Sequence, residues 1–412
     1  MKRKLILFTI LAGFSISNAE EITNPILKKL VEKGILTKEE ALAVEKDLKS
    51  SKKEETEKVK KEVKKEIAEE VKIPKIVSKA KKIKFSGVGY LGYTFKDRKV
   101  DSNGVGDEGN FEIRRGYFIT KFYFNKKDYF RFTLDVTKHN HKDNANEGKE
   151  FNTKIKHLYL YKDLSNYIPY TGFEIGLVHT PWLDYEEHSG WWYRSVEKTF
   201  FESTDGAHLL PSADLGIDFK TKTDYVSAEY GIFEGEGYDH IGRRDKGNKE
   251  NMPMLDGRLT VHVFGNGRKH LNPLEDQYLN LSLHALNSYN HRGSTDDLTV
   301  YQVHAVYNQP LFLVAAQYIK SDWYTNSENK GDGYSFNFEL RPLLEHRIAL
   351  FGRYDHWDCK NDNTKDRNMY IYGISWKMNK YIKWILNGIT VDYDLGNNND
   401  YNKYMLTAEV HF

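Results

Sequence analysis

The chain of 412 residues has no stretch after residue 20 that approaches the run of about 20 apolar residues a membrane helix needs. That excludes a helical membrane protein. It leaves a soluble fold or a β-barrel, the one membrane architecture whose strands alternate and therefore read as hydrophilic on average. Cysteine is nearly absent as well. Cys359 stands alone, so no intramolecular disulfide forms, and it lies too far from the N-terminus for a lipid anchor. No Gly-rich phosphate loop, zinc-ligand spacing or nucleophile elbow occurs, so neither a cofactor, a metal nor an enzymatic activity is expected. Charge of neither sign prevails, with 61 Lys+Arg against 59 Asp+Glu, and nothing marks a nucleic-acid partner. What the chain has in quantity is aromatic residues. Its 28 Tyr, 22 Phe and 7 Trp suit strands and membrane interfaces, which leans the choice toward the barrel.

Residues 1–19 read as a secretory signal. Lys2, Arg3 and Lys4 form a basic start, Leu5 to Ile16 an apolar middle, and Ser17-Asn18-Ala19 a small-x-small cleavage site before Glu20. Residues 20–81 differ from everything after them: they hold 17 Lys and no Tyr, Trp or His. Ile26, Leu30, Val31 and Ile35 suggest a short amphipathic helix broken at Gly34. Thr37 with Glu40 then makes a capping-box pattern ahead of Ala41, Val44 and Leu48. Val59, Val63, Ile67 and Val71 mark a thin apolar stripe on a further charged helix, either a periplasmic coiled coil or a solvated helix. Pro74 stops it, and a linker leads into a third region, 82–412.

From residue 83 the period changes from helical to alternating. Sixteen strands are predicted: 83–96, 110–124, 127–137, 152–162, 171–179, 212–221, 223–233, 253–264, 275–287, 297–308, 310–320, 332–341, 345–357, 367–378, 381–394 and 402–412. Leu279, Leu281 and Leu283 alternate with Asn280, Ser282 and His284. Tyr334, Phe336, Phe338 and Leu340 alternate with Ser335, Asn337, Glu339 and Arg341, which puts charge on an inner face and aromatics on an outer one. Connections alternate too. Those leaving odd strands are long and polar, the longest being 180–211. Those leaving even strands are mostly tight, as at Asn125-Lys126, Thr221-Lys222 and Asn379-Lys380, with 163–170 and 265–274 as longer exceptions. Short periplasmic turns and long outer loops produce this rhythm. The last strand ends on Phe412, in the manner of the signal by which the barrel-assembly machinery recognises its substrates. The expected fold is therefore an all-β, sixteen-stranded antiparallel transmembrane barrel behind a helical N-terminal periplasmic segment. The location is the outer membrane, in contact with its lipid.

Phe111-Glu112-Ile113-Arg114-Arg115-Gly116-Tyr117, followed by Tyr129-Phe130-Arg131-Phe132-Thr133-Leu134-Asp135, resembles the early barrel of the phosphate-selective porin O/P family. The stretch Phe173 to Trp182 resembles that family's lead-in to its third loop. Tyr193-Arg194-Ser195 and Ala213-Asp214-Leu215-Gly216-Ile217 resemble the loop's Arg-Ser element and the strand leaving it. The resemblance spans roughly 83–412, with its specific motifs in 110–220. It implies a sixteen-stranded channel, a homotrimer, and a third loop folded inward to narrow the pore. Members that select phosphate carry an excess of inward Arg and Lys. Residues 82–412 of this chain hold four more acidic than basic side chains, so no strong anion funnel follows from the balance.

Inward charges set the field of a pore. Alternation points Arg131, Asp135, Asp214, Asp218, Arg258, Arg353 and Asp355 inward. Arg114 and Arg115 are adjacent, so one of them faces the lumen, and Glu112 on the same face favours Arg114. The alternative role for all of these is to brace the wall in ion pairs. In the third loop Arg194 is the leading constriction cation, with Glu197 and Lys198 beside it. Trp182, Trp191, Trp192 and Tyr193 either pack the loop against the wall or form a stacking track for a ring-bearing solute. His139, His141 and Asp143 have metal-compatible spacing but read more simply as a polar loop. The sequence therefore predicts a passive diffusion channel for small hydrophilic or ionic solutes; anions such as phosphate are what the family resemblance alone implies. A structural protein tethering the envelope through 20–81 is the alternative.

Overall fold

A computed structural model describes residues 24–48, 81–98, 107–139, 150–238, 253–291, 297–322, 329–343, 347–394 and 400–412. The chain divides into two units, Met1–Ser78 and Lys79–Phe412. In the first, helix α1 (Pro25–Glu32) starts at Asn24, whose side chain accepts from the Ile26 N–H at 3.0 Å. Gly34, at φ +69°, ends the turn, and helix α2 (38–48) follows. Its start is the expected capping box: Glu40 N–H donates to Thr37 Oγ1 at 3.2 Å and Thr37 N–H to Glu40 Oε2 at 2.8 Å. The predicted signal peptide and the stripe from Val59 to Val71 lie outside the described residues, as do His141 and Asp143. Among the described residues no helix is long and apolar enough to cross a membrane.

The second unit is a closed antiparallel barrel in which each strand pairs with its sequence neighbours. The strands are β1 (Lys82–Arg98), β2 (Glu108–Tyr123), β3 (Tyr129–His139), β4 (Glu150–Asp163), β5 (Thr171–His179), β6 (Ala213–Lys222), β7 (Val226–Phe233) and β8 (Met254–Phe264). They continue as β9 (Tyr278–Ser288), β10 (Leu298–Gln309), β11 (Phe312–Asp322), β12 (Gly331–Leu343), β13 (Ile348–Cys359), β14 (Arg367–Lys377), β15 (Ile382–Tyr393) and β16 (Tyr401–His411). All sixteen predicted strands are present, each within a few residues of its expected bounds. Thr221 and Lys222 end β6 rather than forming the turn, which falls at 223–225. Cys359 is the buried last residue of β13 rather than a loop residue.

The alternation that forms these strands also sorts their faces. In β12, Ser335, Asn337, Glu339 and Arg341 are buried inward, while Phe336, Phe338 and Leu340 are exposed on the outer wall. The barrel closes where β1 pairs with β16, from Val88↔His411 to Arg98↔Tyr401. Beyond that register Gly87 and Phe412 exchange backbone hydrogen bonds of 2.9 and 3.0 Å, so the terminal residue finishes the seam.

Two irregularities alter which side chains reach the inner face. Tyr90 pairs with Arg115 and Leu91 with Ile113, so Arg114 is an extra residue in β2. Thr133 pairs with His157 and Leu134 with Ile155, so Lys156 is an extra residue in β4. A bulge of this kind lets two consecutive side chains share one face.

Candidate functional site

The third long loop, residues 180–212, turns back into the barrel and is fastened to its inner wall along more than half the circumference. It begins with helix α3 (Pro181–Glu187), started by Pro181 at N1. Arg258 on β8 donates Nε–H to the Pro181 carbonyl at 3.0 Å, and its guanidinium lies 4.5 Å from the Tyr185 ring. Gln317 on β11 donates to Glu186, and Asn337 on β12 donates to the Gly190 carbonyl at 2.7 Å. Arg353 on β13 donates to the Lys198 carbonyl at 2.7 Å and covers the Trp191 ring at 4.4 Å. Tyr193 stacks on Phe351 at 3.8 Å and shares a hydrogen bond with Ser375 on β14. Ser195 donates to Glu409 on β16 at 2.6 Å, and Tyr393 and Tyr401 both donate to Asp205.

The sequence-predicted residues occupy this loop and the wall around it. Trp182, Trp191 and Tyr193 are at most 3% exposed and packed among wall residues, while Trp192 is half-buried. Arg353 pairs with Asp355 at 2.9 Å, and Arg258 with Glu229 at 3.2 Å. Asp218 lies 3.5 Å from Lys220, an ammonium that also meets Glu229 at 2.9 Å and Glu174 at 3.3 Å. Asp214 accepts backbone N–H bonds from Gly235 and Gly237 at 2.6 and 3.1 Å, bracing the start of the next loop. Both glycines have positive φ, and a Cβ on Gly237 would sit 2.1 Å from the Pro211 ring, so this brace requires glycine. Asp135 pairs with Arg115 and accepts from Tyr238 at 3.2 Å.

The loop's own charges are tied to one another. Arg194 pairs with Glu187 and, at 2.6 Å, with Glu202; Lys198 meets Glu202 at 3.1 Å and Lys403 meets Glu197 at 3.3 Å. Burial works against the charge on Arg194, but Glu187 and Glu202 outweigh it and hold the guanidinium's pKa well above its ordinary value. Glu202 is buried too, and Arg194 and Lys198 hold its carboxyl below the usual range. Among the described residues Glu186 has no such cation in contact. Burial pushes it up to about 7, even though Gln317 and Trp182 donate to it.

The reading that only one of Arg114 and Arg115 faces the lumen is corrected by the β2 bulge. Arg115 reaches Asp135, while Arg114 reaches Thr407 and, at 3.1 Å, Thr94 on the inner face. The β4 bulge does the same for Lys156 and His157, both buried inward. Sequence reasoning missed Lys156, Lys121, Lys220, Glu186 and Glu202. The first of these had a visible signal, because two consecutive polar residues in an alternating strand mark a bulge.

Four inward cations on β2–β4 have no carboxylate oxygen within 4 Å among the described residues: Arg114, Lys121, Arg131 and Lys156. Their neighbours are hydroxyls, rings and an imidazole. Arg131 donates to Thr133 at 3.1 Å and meets His179 at 3.3 Å. Lys156 reaches the Tyr117 hydroxyl at 3.4 Å, and Lys121 stands 4.6 Å from the Tyr129 ring. Between Arg114 and the loop lies a cavity of about 470 Å³, lined by Arg114, Arg115, Arg194, Lys198 and Lys403 and also by Glu108, Glu112 and Glu197.

A closed sixteen-stranded antiparallel barrel with tight turns at one end and long loops at the other is the porin architecture. Solved structures share it. An anion-selective porin from Comamonas acidovorans is 12% identical, over 80% of this chain and 100% of that one, with a TM-score of 0.55. A loop L8 deletion mutant of OmpT, an outer membrane protein of Vibrio cholerae, is 12% identical over 80% and 99%, with a TM-score of 0.53. No protein-family model and no curated relative matches the chain.

Proposed function

We propose that the chain is an outer-membrane channel through which small hydrophilic anions diffuse, with the third loop narrowing the lumen and the wall of β2–β4 setting the sign. One observation carries this reading. Arg194, Lys220, Arg258 and Arg353 are each neutralised by a carboxylate in contact, whereas Arg114, Lys121, Arg131 and Lys156 are not. Low-dielectric walls focus the field of such groups, so a stripe of unpaired cations outweighs a small acidic excess spread over loops and pairs. The resemblance to phosphate-selective porins supports the same sign, and makes phosphate the first solute to compare with chloride. The lack of any nucleophile–base arrangement in the sequence favours a channel over an enzyme.

Single-channel current across a planar bilayer under a potassium chloride gradient tests both halves. Stepwise conductance with a reversal potential on the chloride side is expected. A potassium-side reversal would reject the anion reading and keep the channel, and silence from folded protein would reject the channel itself.

A further inference from the structure

The outer wall carries a trough over β7–β10. Cross-strand register places Tyr230, Gly257, Ala285 and Tyr301 side by side in one row. Glycine and alanine make the floor, and the two tyrosines, 50% and 61% exposed, stand as banks. Two adjoining hollows of about 610 and 680 Å³ share this row and are lined almost wholly by apolar atoms. At the long-loop end the lining turns polar. Asn287 donates to Thr299 there at 3.3 Å, whereas Lys320, paired in register with Tyr301, continues the central row onto β11, points outward and lines the larger hollow. Among the described residues Lys320 has no carboxylate within 4 Å; its cross-strand neighbour Asp332 meets Lys360 instead.

We infer that this trough seats one acyl chain of a phosphate-bearing lipid of the outer leaflet, with the phosphate on Lys320. The inference rests on the outer-membrane reading above. Its length fits: Leu255 to Leu259, the stretch of β8 that lines it, rises about 13 Å, close to the ~15 Å of one leaflet's hydrocarbon. Hydrophobic transfer gives no preference among apolar partners within a bilayer, so selectivity comes from packing between the tyrosine banks and from the ammonium–phosphate attraction. A slender chain fills a trough between banks. A second barrel wall would bridge the banks and leave the floor empty, which forfeits the packing that drives association in lipid.

The test is native mass spectrometry of the full protein, extracted in detergent and supplied with phosphatidylglycerol, beside G257L and K320Q. A Cβ on Gly257 meets the Tyr230 Cβ at 3.5 Å and the Glu229 carbonyl oxygen at 3.9 Å, both ordinary contacts, so leucine there fills the trough without displacing backbone. The wild type should retain a single phosphatidylglycerol that inorganic phosphate does not displace. K320Q should weaken retention about fivefold, the worth of one lysine at an anionic surface, and G257L should abolish it. Equal retention by all three proteins, or displacement by inorganic phosphate, would overturn the site. So would a change in oligomer mass in G257L with lipid retention intact, which would make the trough a contact between barrels. Conductance measured on the same samples is independent: a silent wild type sinks the channel reading, whereas conducting variants without lipid leave it standing.

Discussion

Arg131 and Lys156 lie among hydroxyls and ring faces, so replacing either leaves no buried carboxylate stranded. Arg115 differs, because Asp135, fully buried, depends on it. R131Q and K156Q should therefore shift the reversal potential toward potassium while leaving the barrel folded. A unit charge some 10 Å from a permeating ion in water is worth ~0.4 kcal/mol, with opposite sign for chloride and potassium, so each substitution should lower the chloride-to-potassium permeability ratio about fourfold. R115Q should instead lower thermal stability. A second consequence belongs to Glu186. Its folded pKa of about 7 lies above the ordinary carboxyl value, so its contribution to stability is complete in acid and is lost as pH rises through 7. The full swing is on the order of 3 kcal/mol. Thermal unfolding, followed by the gel shift of heated barrels, should occur at lower temperature at pH 8 than at pH 5. E186Q should remove most of that difference, and an unchanged pH dependence would show that Glu186 is ionised throughout.

Strands were legible because alternation of period two is imposed by the pleat, and one face meets lipid-like surroundings while the other meets polar loop residues. The bulges left only a slight trace, the consecutive polar pairs Arg114-Arg115 and Lys156-His157, since one inserted residue changes the face of its neighbours without changing composition. Arg115 was left off the inner face for that reason alone, because the register shift makes Arg114 an extra residue beside it. The loop's fastenings were illegible for a different reason: Arg353 and Trp191 are 162 residues apart, and no local pattern links them. Yet this contact holds the loop. Arg353, Asp355 and Trp191 are deeply buried, and the guanidinium binds the carboxylate, the Lys198 carbonyl and the indole ring together. R353M should strand Asp355 at a cost of about 3–5 kcal/mol and free the 191–198 segment, raising open-channel current noise. R353M/D355L removes both charges and should recover much of the stability while the noise persists, because the bond to Lys198 stays broken. Recovery of quiet current in the double variant would mean that the ion pair, not the carbonyl bond, fixes the loop.

At the scale of the whole molecule, net charge and its distribution point to opposite signs, and the anion reading proposed above rests on the distribution. Residues 82–412 are slightly acidic, but Glu202 and Glu229 are taken up by Arg194 and Lys220, while the cations of the β2–β4 arc meet no carboxylate among the described residues. That arc adjoins the seam, since β1 and β16 close the barrel beside it. The seam's geometry makes its own demand. Gly87 sits where a Cβ would lie 2.2 Å from the Phe412 ring and 2.5 Å from the Tyr117 carbonyl oxygen. The first obstacle is a side chain and can be removed; the second is backbone and cannot. Phe412 also packs against Phe118 at 5.8 Å, so F412A loses one aromatic contact, worth about 0.5–1.5 kcal/mol beyond its area. F412A should therefore fold in detergent to a barrel only modestly less heat-stable than the wild type. G87V should yield little folded barrel, because β1 must move away from β2 at the place where β16 joins. G87V/F412A should rescue little of that loss. Full rescue by the double variant would show that the ring alone sets the limit and that the β1–β2 backbone has room to spare.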